Sequence, residues 1–123
     1  MRNYQFTYPE RKFYFGYTDN RPFAFGEIIN GDDDTRLGRI LVGEPAMRGK
    51  GMGLIFVNLL IEQCKTLYPT KKIALYVLDE NTQARSCYKK AGFEFTSDKG
   101  FRINFKEKEF EVKKMLLGAN TYS

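Results

Sequence analysis

The stretch Arg48-Gly49-Lys50-Gly51-Met52-Gly53 decides the fold of this chain. It lies between an extended apolar run, 39–42, and a long apolar run, 54–67, whose hydrophobic residues have helical spacing. Alternate glycines let the backbone come close to a ligand, and the first turn of a helix offers unpaired N–H groups and the positive end of its dipole. With two basic side chains added, the stretch predicts a phosphate or pyrophosphate cradle where a strand turns into a helix.

Two familiar phosphate-binding loops do not fit this stretch. The P-loop has four residues between its first glycine and its Gly-Lys pair, and Ser or Thr follows the lysine. Here five residues separate Gly43 from Gly49, and Gly51 follows Lys50. The dinucleotide fingerprint lacks its third glycine, because 51–53 is followed by Leu54-Ile55-Phe56. A glycine-rich connection without a ligand is the alternative interpretation, although flexibility alone gives no reason for Arg48 and Lys50.

Length and composition limit the class of protein. The 123 residues are 42% hydrophobic and 28% charged, which predicts one globular domain, residues 1–123, with a single core. The net charge of +5 favours an acidic partner or a polyanionic cofactor. It does not require nucleic acid, because Lys and Arg are spread along the whole chain. No apolar run is long enough to cross a membrane and no signal peptide opens the sequence, so we expect a cytoplasmic protein without a membrane partner.

The residue types that are missing limit the chemistry. The chain has no histidine and two cysteines, Cys64 and Cys87, which we interpret as free thiols in a reducing compartment. Histidine-based zinc sites and Ser-His-Asp triads are therefore excluded, and we expect no metal cofactor. Any catalysis falls to carboxylates, tyrosines, backbone amides or water.

The pattern of the whole chain predicts an α/β domain with a mixed sheet. Helical spacing predicts one helix from about 51 to 68 and a second that is capped by Asn81 and stopped by Gly92. The acidic segment 30–34 is interpreted as a hairpin loop, with a cation or amine site as the alternative. The predicted strands are 12–17, 23–29, 37–42, 72–77, 93–105 with a break near 98–100, and 110–117, with a turn at 106–109.

Two motifs together resemble the GNAT superfamily of N-acetyltransferases. The family's acetyl-CoA loop, Gln/Arg-x-x-Gly-x-Gly/Ala, matches 48–53, and its second signature, Asn-x-x-Ala-x-x-x-Tyr-x-Lys-x-Gly-Phe, matches 81–93. The resemblance covers roughly 13–117, and two matches at the expected distance make chance a poor explanation. It implies the GNAT acyl-CoA N-acyltransferase fold: a mixed, mostly antiparallel sheet with splayed central strands, flanked by helices.

The resemblance also implies a function and the residues that carry it. It implies transfer of an acetyl group from acetyl-CoA, as co-substrate, to a primary amine that attacks the thioester directly. The backbone of Leu41, Val42 and Gly43 would pair with the pantetheine arm, since an exposed strand edge suits its two amides. A backbone N–H near Val42 could polarise the thioester carbonyl. Asn81 would contact the cofactor arm, and the amides of 48–53 would hold the pyrophosphate.

The proton transfers require an acid and a base. The resemblance places Tyr88 by the thioester sulfur, where a tyrosine that stays protonated at neutral pH could donate to the departing thiolate. A tyrosine packed in the core is the alternative interpretation. Without histidine, the base is a carboxylate, a tyrosine or a chain of waters. Glu27 and Glu44 are the candidate carboxylates, and Asp79 and Glu80 are weaker ones, although strand-edge glutamates are usually surface residues.

The sequence departs from the family pattern at its N-terminus. The family begins with a strand and two helices, whereas eleven residues precede the strand predicted from Lys12. We therefore expect the usual N-terminal strand and both helices to be missing, with 1–11 supplying at most part of a sheet edge. An apolar face would then be exposed, which favours a partner or a homodimer that covers it. The alternative function is a CoA-binding, catalytically impaired module. A basic nucleic-acid binder ranks below both, because it leaves the glycine spacing unexplained.

Overall fold

The computed structural model describes residues 2–5, 11–43, 51–97 and 100–118. Within these residues lie one mixed sheet and two helices. The strands are β1 Arg2–Gln5, β2 Arg11–Thr18, β3 Arg21–Asn30, β4 Asp34–Val42, β5 Lys72–Leu78, β6 Phe93–Phe95, β7 Phe101–Phe105 and β8 Lys108–Leu117. The helices are α1 Met52–Leu67 and α2 Thr82–Ala91.

The sheet is mostly antiparallel, as the sequence predicts. Its strand order is β1-β2-β3-β4-β5-β8-β6, and β7 pairs with the outer part of β8. β4 and β5 are parallel, while all other pairings are antiparallel. A parallel pair needs a long crossover, and the segment that contains α1 provides it. The dense apolar strand predicted at 72–77 is accordingly the one that makes the parallel pairing.

The pairing between β4 and β5 covers only the first half of β4. Their pairing ends at Leu37, and β4 then continues beside β3 alone. Between Phe25 and Glu27, β3 advances by two residues while β4 advances by three, so β4 contains a bulge. Arg39 lies in that bulge with a left-handed φ of 50°. Because a bulge bends its strand, it turns β4 away from β5 and produces the splay implied by the family resemblance.

α1 packs closely on one face of the sheet. Its buried side chains recur at helical spacing and join the core with the buried residues of β2 to β5. Close approach requires two glycines: a Cβ on Gly16 would lie 2.9 Å from the ring of Phe56, and one on Gly26 would lie 3.0 Å from Phe56 and Leu60. The buried side chains of α1 and of the strands beneath it form the hydrophobic core on this face of the sheet. Each large apolar side chain that is fully buried there stabilises the fold by about 1.5–3 kcal/mol.

Local signals fix α2 where the sequence predicts it. The side chain of Asn81 accepts a hydrogen bond from the N–H of Ala84 at 3.1 Å and caps the helix. Gly92 ends the helix with a φ of 110°, and its N–H donates to the carbonyl of Lys89 at 3.1 Å. These two caps orient α2 against α1 and fix which of its side chains face inward.

Two details of the sequence prediction need correction. The expectation that the usual N-terminal strand is missing is wrong, because Arg2–Gln5 forms the strand β1, which pairs with β2 at the edge of the sheet. This agrees with the expectation that 1–11 supplies part of a sheet edge. An unpaired edge of β2 offers N–H and C=O groups that such a short segment can satisfy. The last turn is shorter than 106–109: it comprises Lys106 and Glu107, both with positive φ, because β7 and β8 stay paired up to them. No helix precedes β2 in the described residues.

The aromatic run of β2 and β3 divides between the two sheet faces. Tyr14 is buried in the core under α1. Phe13, Phe15 and Tyr17 point to the opposite face, because side chains alternate along a strand. Phe25 packs against Phe13 and Phe15 at ring-centroid distances of 5.7 and 5.1 Å, and Tyr17 packs against Phe15 at 6.5 Å. These four half-buried side chains are called the aromatic face below. The described residues place no helix over it.

Candidate active site

A cleft of about 570 Å³ lies beside the outer half of β4. The segment 40–42 of β4 forms one wall, the beginning of α1 forms the floor, and the stretch from Asn81 to Lys90 forms the opposite wall. Apolar side chains, including Leu54 and Val57 of α1, line much of the surface. The cleft therefore joins the predicted anion cradle to the second predicted motif, although the two are far apart along the chain.

β4 presents a strand edge to this cleft. Because the pairing with β5 ends at Leu37, backbone groups farther along β4 that point toward the gap can pair with a ligand. Leu41 and Val42, both predicted to contact the cofactor, line the cleft. Gly43 lies just beyond it, and its N–H donates to the carbonyl of Phe23 at 2.9 Å. The N–H of Gly43 is therefore not available to a cofactor.

α1 begins at the cleft with a first turn that no side chain caps. Gly51 is the N-cap residue, with a φ of 76° that most residues tolerate poorly, and the first turn holds no acidic side chain. The N–H of Ile55 donates to the carbonyl of Gly51 at 3.1 Å, so the helix is regular from its start. A Cβ built on Gly51 would meet no described atom within 4 Å. An uncapped, open helix N-terminus is suited to an anion.

Several predicted site residues lie outside the described residues. They are Arg48, Gly49 and Lys50 of the cradle and the candidate base Glu44. Of the remaining cradle residues, Gly53 lines the cleft, whereas the side chain of Met52 packs against the core. The described part of the cradle is thus the helical half, in which backbone N–H groups rather than side chains would meet a phosphate.

Asn81 and Tyr88 stand on the same side of α2. They are about two helical turns apart, and both line the cleft. The side-chain oxygen of Asn81 is already used to cap α2, since it accepts from Ala84. Its amide NH₂ group is the donor that remains for a bound cofactor arm.

Tyr88 is protonated at neutral pH for a physical reason. Its half-buried ring packs edge-on against Phe93, with centroids 6.3 Å apart. Loss of water around the hydroxyl, and to a lesser extent the neighbouring Cys87 thiol, raises the pKa of Tyr88 to about 12. An ordinary thiol has a pKa of about 8.5, so complete proton transfer from this phenol to a thiolate is uphill. A hydrogen bond from the hydroxyl to the departing sulfur is the better-supported role.

Cys87 is a cleft residue that sequence reasoning did not place there. Its Sγ lies 3.8 Å from the position a Cβ would take on Gly53. Burial raises the pKa of the Cys87 thiol, and the charge of Lys90 opposes that effect only in part. The thiol is therefore neutral and a poor nucleophile at neutral pH. Helical spacing from Ala84 could have identified it as a wall residue, whereas Ile40, Leu54 and Val57 required the tertiary structure.

Glu27 lies apart from the cleft. Its side chain is 2% exposed and is held between Arg11 at 3.5 Å and Arg39 at 3.7 Å. It is not among the residues that line the cleft. The expectation that this glutamate is a surface residue is therefore wrong, because the bulge of β4 and the two arginines enclose it. A carboxylate closed to solvent can act as the predicted base only through a water chain.

The weaker carboxylate candidates form ion pairs near the start of α2. Asp79 lies 3.8 Å from Arg85 and 3.5 Å from Lys113. Glu80 lies 3.6 Å from Lys108. All of these groups are partly exposed, so each pair is weak on its own. Both carboxylates nevertheless face cations rather than the cleft.

The fold and the cleft agree with a known family. The chain belongs to the acetyltransferase (GNAT) family, whose family model matches residues 1–93. A spermine/spermidine N(1)-acetyltransferase of Bacillus subtilis is 30% identical over 81 residues, which make up 63% of this chain and 53% of that protein. The chain therefore spans about half the length of the curated relatives it matches.

Solved structures share the fold. The spermidine N-acetyltransferase of Vibrio cholerae in complex with CoA and spermine is similar at a TM-score of 0.69 and 20% identity, over 92% of this chain and 68% of that one. A GNAT family acetyltransferase of Elizabethkingia anophelis with acetyl-CoA bound is similar at a TM-score of 0.71 and 19% identity, over 87% of this chain and 74% of that one. The predicted GNAT fold is thereby confirmed. Within the described residues, neither helix is long and apolar enough to span a membrane.

Proposed function

We propose that this protein transfers the acetyl group of acetyl-CoA to a primary amine by direct attack of the amine on the thioester. The observation that carries the proposal is the cleft itself. It combines the open edge of β4, the uncapped N-terminus of α1 at Gly51 and the protonated phenol of Tyr88 in one space. Acetyl-CoA is the co-substrate of the family, and a structural neighbour holds it.

Each part of acetyl-CoA has a counterpart in the cleft. The two amides of pantetheine would extend the sheet along the open edge of β4 near Val42, and the amide NH₂ of Asn81 would donate to the same arm. The pyrophosphate would lie on the first-turn N–H groups of α1, next to Gly51. The apolar lining near Val57 would keep water away from the thioester. The net charge of +5 favours the polyanion as a whole.

The chemistry then needs few side chains. The lone pair of the amine attacks the thioester carbonyl carbon, the C–S bond breaks, and the sulfur leaves as a thiolate while the amine gives up one proton. Backbone N–H groups on the gap side of β4 would stabilise the carbonyl oxygen as negative charge develops on it. The hydroxyl of Tyr88 would donate a hydrogen bond to the sulfur. Glu27, acting through water, and Glu44 stay candidates for the group that accepts the proton.

A titration followed by an amine panel tests the proposal. Calorimetric titration with acetyl-CoA should show binding in the micromolar range, with one site per chain. Release of free CoA thiol should then be followed with simple alkylamines, amino acids, spermidine and spermine, the last two because of the names of the relatives. Binding with acetyl transfer to at least one amine supports the proposal. Failure to bind acetyl-CoA would contradict it.

A second function is favoured by an exposed apolar hairpin. In β7, Phe101, Ile103 and Phe105 are 49%, 41% and 61% exposed. Exposed apolar side chains in a row are typical of contact surfaces. The protein would then be a CoA-binding module that acts through a partner or as a homodimer. Binding of acetyl-CoA without transfer to any amine, together with a dimer by light scattering, would favour this function over catalysis.

A further inference from the structure

We propose that the acceptor is an amine that carries a carboxylate, and that Arg39 and Arg36 bind this carboxylate at the opening between β4 and β5. The inference rests on the proposed acetyl transfer and names the acceptor class for the same site. It departs from the polyamines in the names of the relatives, which are chains of positive charges.

The opening connects the two faces of the sheet. The cleft proposed for acetyl-CoA lies on the face that carries α1 and α2. Because β4 and β5 separate after Leu37, a second molecule can reach the thioester through the gap from the aromatic face. Leu41, at the end of β4, is 63% exposed and borders this route. An acceptor that arrives from this side does not compete with the cofactor for space.

The charge that faces solvent at this opening is positive. Arg39 is 69% exposed, and its guanidinium lies on the aromatic face because it contacts Glu27 there at 3.7 Å. Arg36 lies over the ring of Tyr76 on β5, with its guanidinium carbon 5.5 Å from the ring centroid. Glu27 is 2% exposed, so its negative charge is screened by the two arginines and is not presented to a ligand. A polycation would be repelled here, and an anionic group would be attracted.

The neighbouring carboxylates do not reverse this balance. Asp34 on the same face is paired with Lys114 at 3.2 Å. Asp79, at the end of β5, is shared between two cations. Among the described residues, the cationic groups left to recognise an acceptor at the gap are therefore the exposed guanidinium of Arg39 and the half-buried guanidinium of Arg36. Arginine presents its donors in a planar fork that matches a carboxylate.

The backbone holds Arg39 in a conformation that has a cost. A left-handed φ of 50° is unfavourable for a residue with a side chain, and such strain persists where the surroundings enforce it. The bulge supplies the conformation, and the ion pair with Glu27 fixes the direction of the side chain. Glu27 is on this view a positioning residue that holds the guanidinium of Arg39 on this face of the sheet beside β4. A Cβ on Gly38 would lie 2.8 Å from the carboxylate of Glu27, so glycine there makes room for this arrangement.

Acceptors matched in length and differing only in end charge test the inference. For several chain lengths, the kcat/KM of acetyl transfer is measured with an ω-amino acid, with the alkylamine of that length and with the diamine of that length, and spermidine is added. We expect the ω-amino acid to exceed both others at its best length by about tenfold to a hundredfold, the range for hydrogen bonds to a charged group. R39Q should remove this preference by raising the KM of the amino acid relative to the KM of the alkylamine.

A control variant separates a specific effect from a general change of charge. Arg102 is 71% exposed and pairs with Glu109 at 3.2 Å on the distant β7–β8 hairpin, so R102Q removes the same charge elsewhere. R39K should keep part of the preference and shows whether the position tolerates substitution. Preference for spermidine or the diamine in the wild type, or unchanged selectivity in R39Q, overturns the inference while transfer itself stands. Absence of transfer to every acceptor overturns the proposed function and this inference with it.

Discussion

At the scale of single residues, burial decides what each titratable side chain can do. Removal of water raises the pKa of the Cys64 thiol to about 12 and that of the Tyr88 phenol to about 12, and it raises the pKa of Cys87 as well. All three groups are therefore neutral at neutral pH. The cleft can donate a hydrogen bond from Tyr88 but offers no thiolate, which fits direct transfer better than a covalent acetyl-enzyme intermediate.

Replacement of Tyr88 by phenylalanine tests the role of its hydroxyl. Tyr88→Phe keeps the ring that packs against Phe93 and removes only the donor. We expect kcat to fall by about tenfold to a hundredfold, the range for loss of a hydrogen bond to a charged group, with little change in the affinity for acetyl-CoA. Steady-state kinetics and calorimetry measure the two quantities. Unfolding of the variant, or a normal kcat, would show that the hydroxyl is not the donor.

The raised pKa values also predict a loss of stability in alkali. Burial raises the pKa of the Cys64 thiol from the ordinary value for a thiol to about 12, so between those two pH values unfolding releases its proton. Its contribution to stability is complete below about pH 9 and is lost as pH rises toward about 12. Denaturant unfolding at a series of pH values should show this decline. Cys64→Val should make the decline shallower, and an unchanged pH dependence would contradict the assignment.

At the scale of elements, the function depends on two ends: the end of the β4–β5 pairing and the beginning of α1. The bulge at Arg39 separates the strands, and Gly51 starts the helix without a side-chain cap. One feature opens an edge for amides and the other offers N–H groups for phosphate. Neither end is the best solution for stability alone, because a paired strand and a capped helix would both be more stable.

Two substitutions of equal size at Gly51 test the anion cradle. Asp and Asn both tolerate a left-handed φ better than most residues, so Gly51→Asp and Gly51→Asn should fold comparably. Only Asp adds a negative charge beside the proposed pyrophosphate. We expect Gly51→Asp to weaken acetyl-CoA binding at least about tenfold relative to Gly51→Asn, a difference near 1.4 kcal/mol. Calorimetric titration of both variants measures it, and equal affinities would remove the pyrophosphate from this position.

At the scale of the whole molecule, charge and surface distinguish the two sides of the sheet. The chain carries a net charge of +5, and the cofactor proposed for it is a polyanion. On the side of the sheet opposite α1, the aromatic face lies in the same surface as the guanidinium groups of Arg39 and Arg36 near the gap between β4 and β5. The hairpin of β7 and β8, which includes Phe105, exposes apolar side chains at the outer part of the sheet.

The net charge predicts that salt weakens cofactor binding. A polyanion attracted by a positively charged protein loses that attraction as ions screen it over the Debye length, about 10 Å at 0.1 M and about 3 Å at 1 M. The dissociation constant of acetyl-CoA should therefore rise several-fold across that range. Dephospho-CoA, which carries less charge, should show a weaker dependence in the same titrations. A dissociation constant that is independent of salt would mean that shape and neutral hydrogen bonds dominate binding.

The sequence by itself determined the features that are local or periodic. Asn81 and Gly92 bound α2 because capping depends on side chains within a few residues, and the core side of α1 follows from helical spacing. The helical spacing after the glycine-rich stretch predicted a helix from about Gly51, which is the N-cap residue of α1. The family resemblance then brought Tyr88 and the cradle together, which spacing alone could not do.

Only the tertiary structure decided what depends on neighbours distant in sequence. It buried Glu27 between Arg11 and Arg39, although a strand glutamate is usually exposed, because a bulge in β4 moves Arg39 toward it. It placed Cys87 opposite Gly53, on the wall of the cleft. Bulges, strand separation and burial arise from packing between elements, and packing energies are sums over contacts that a single stretch of sequence does not contain.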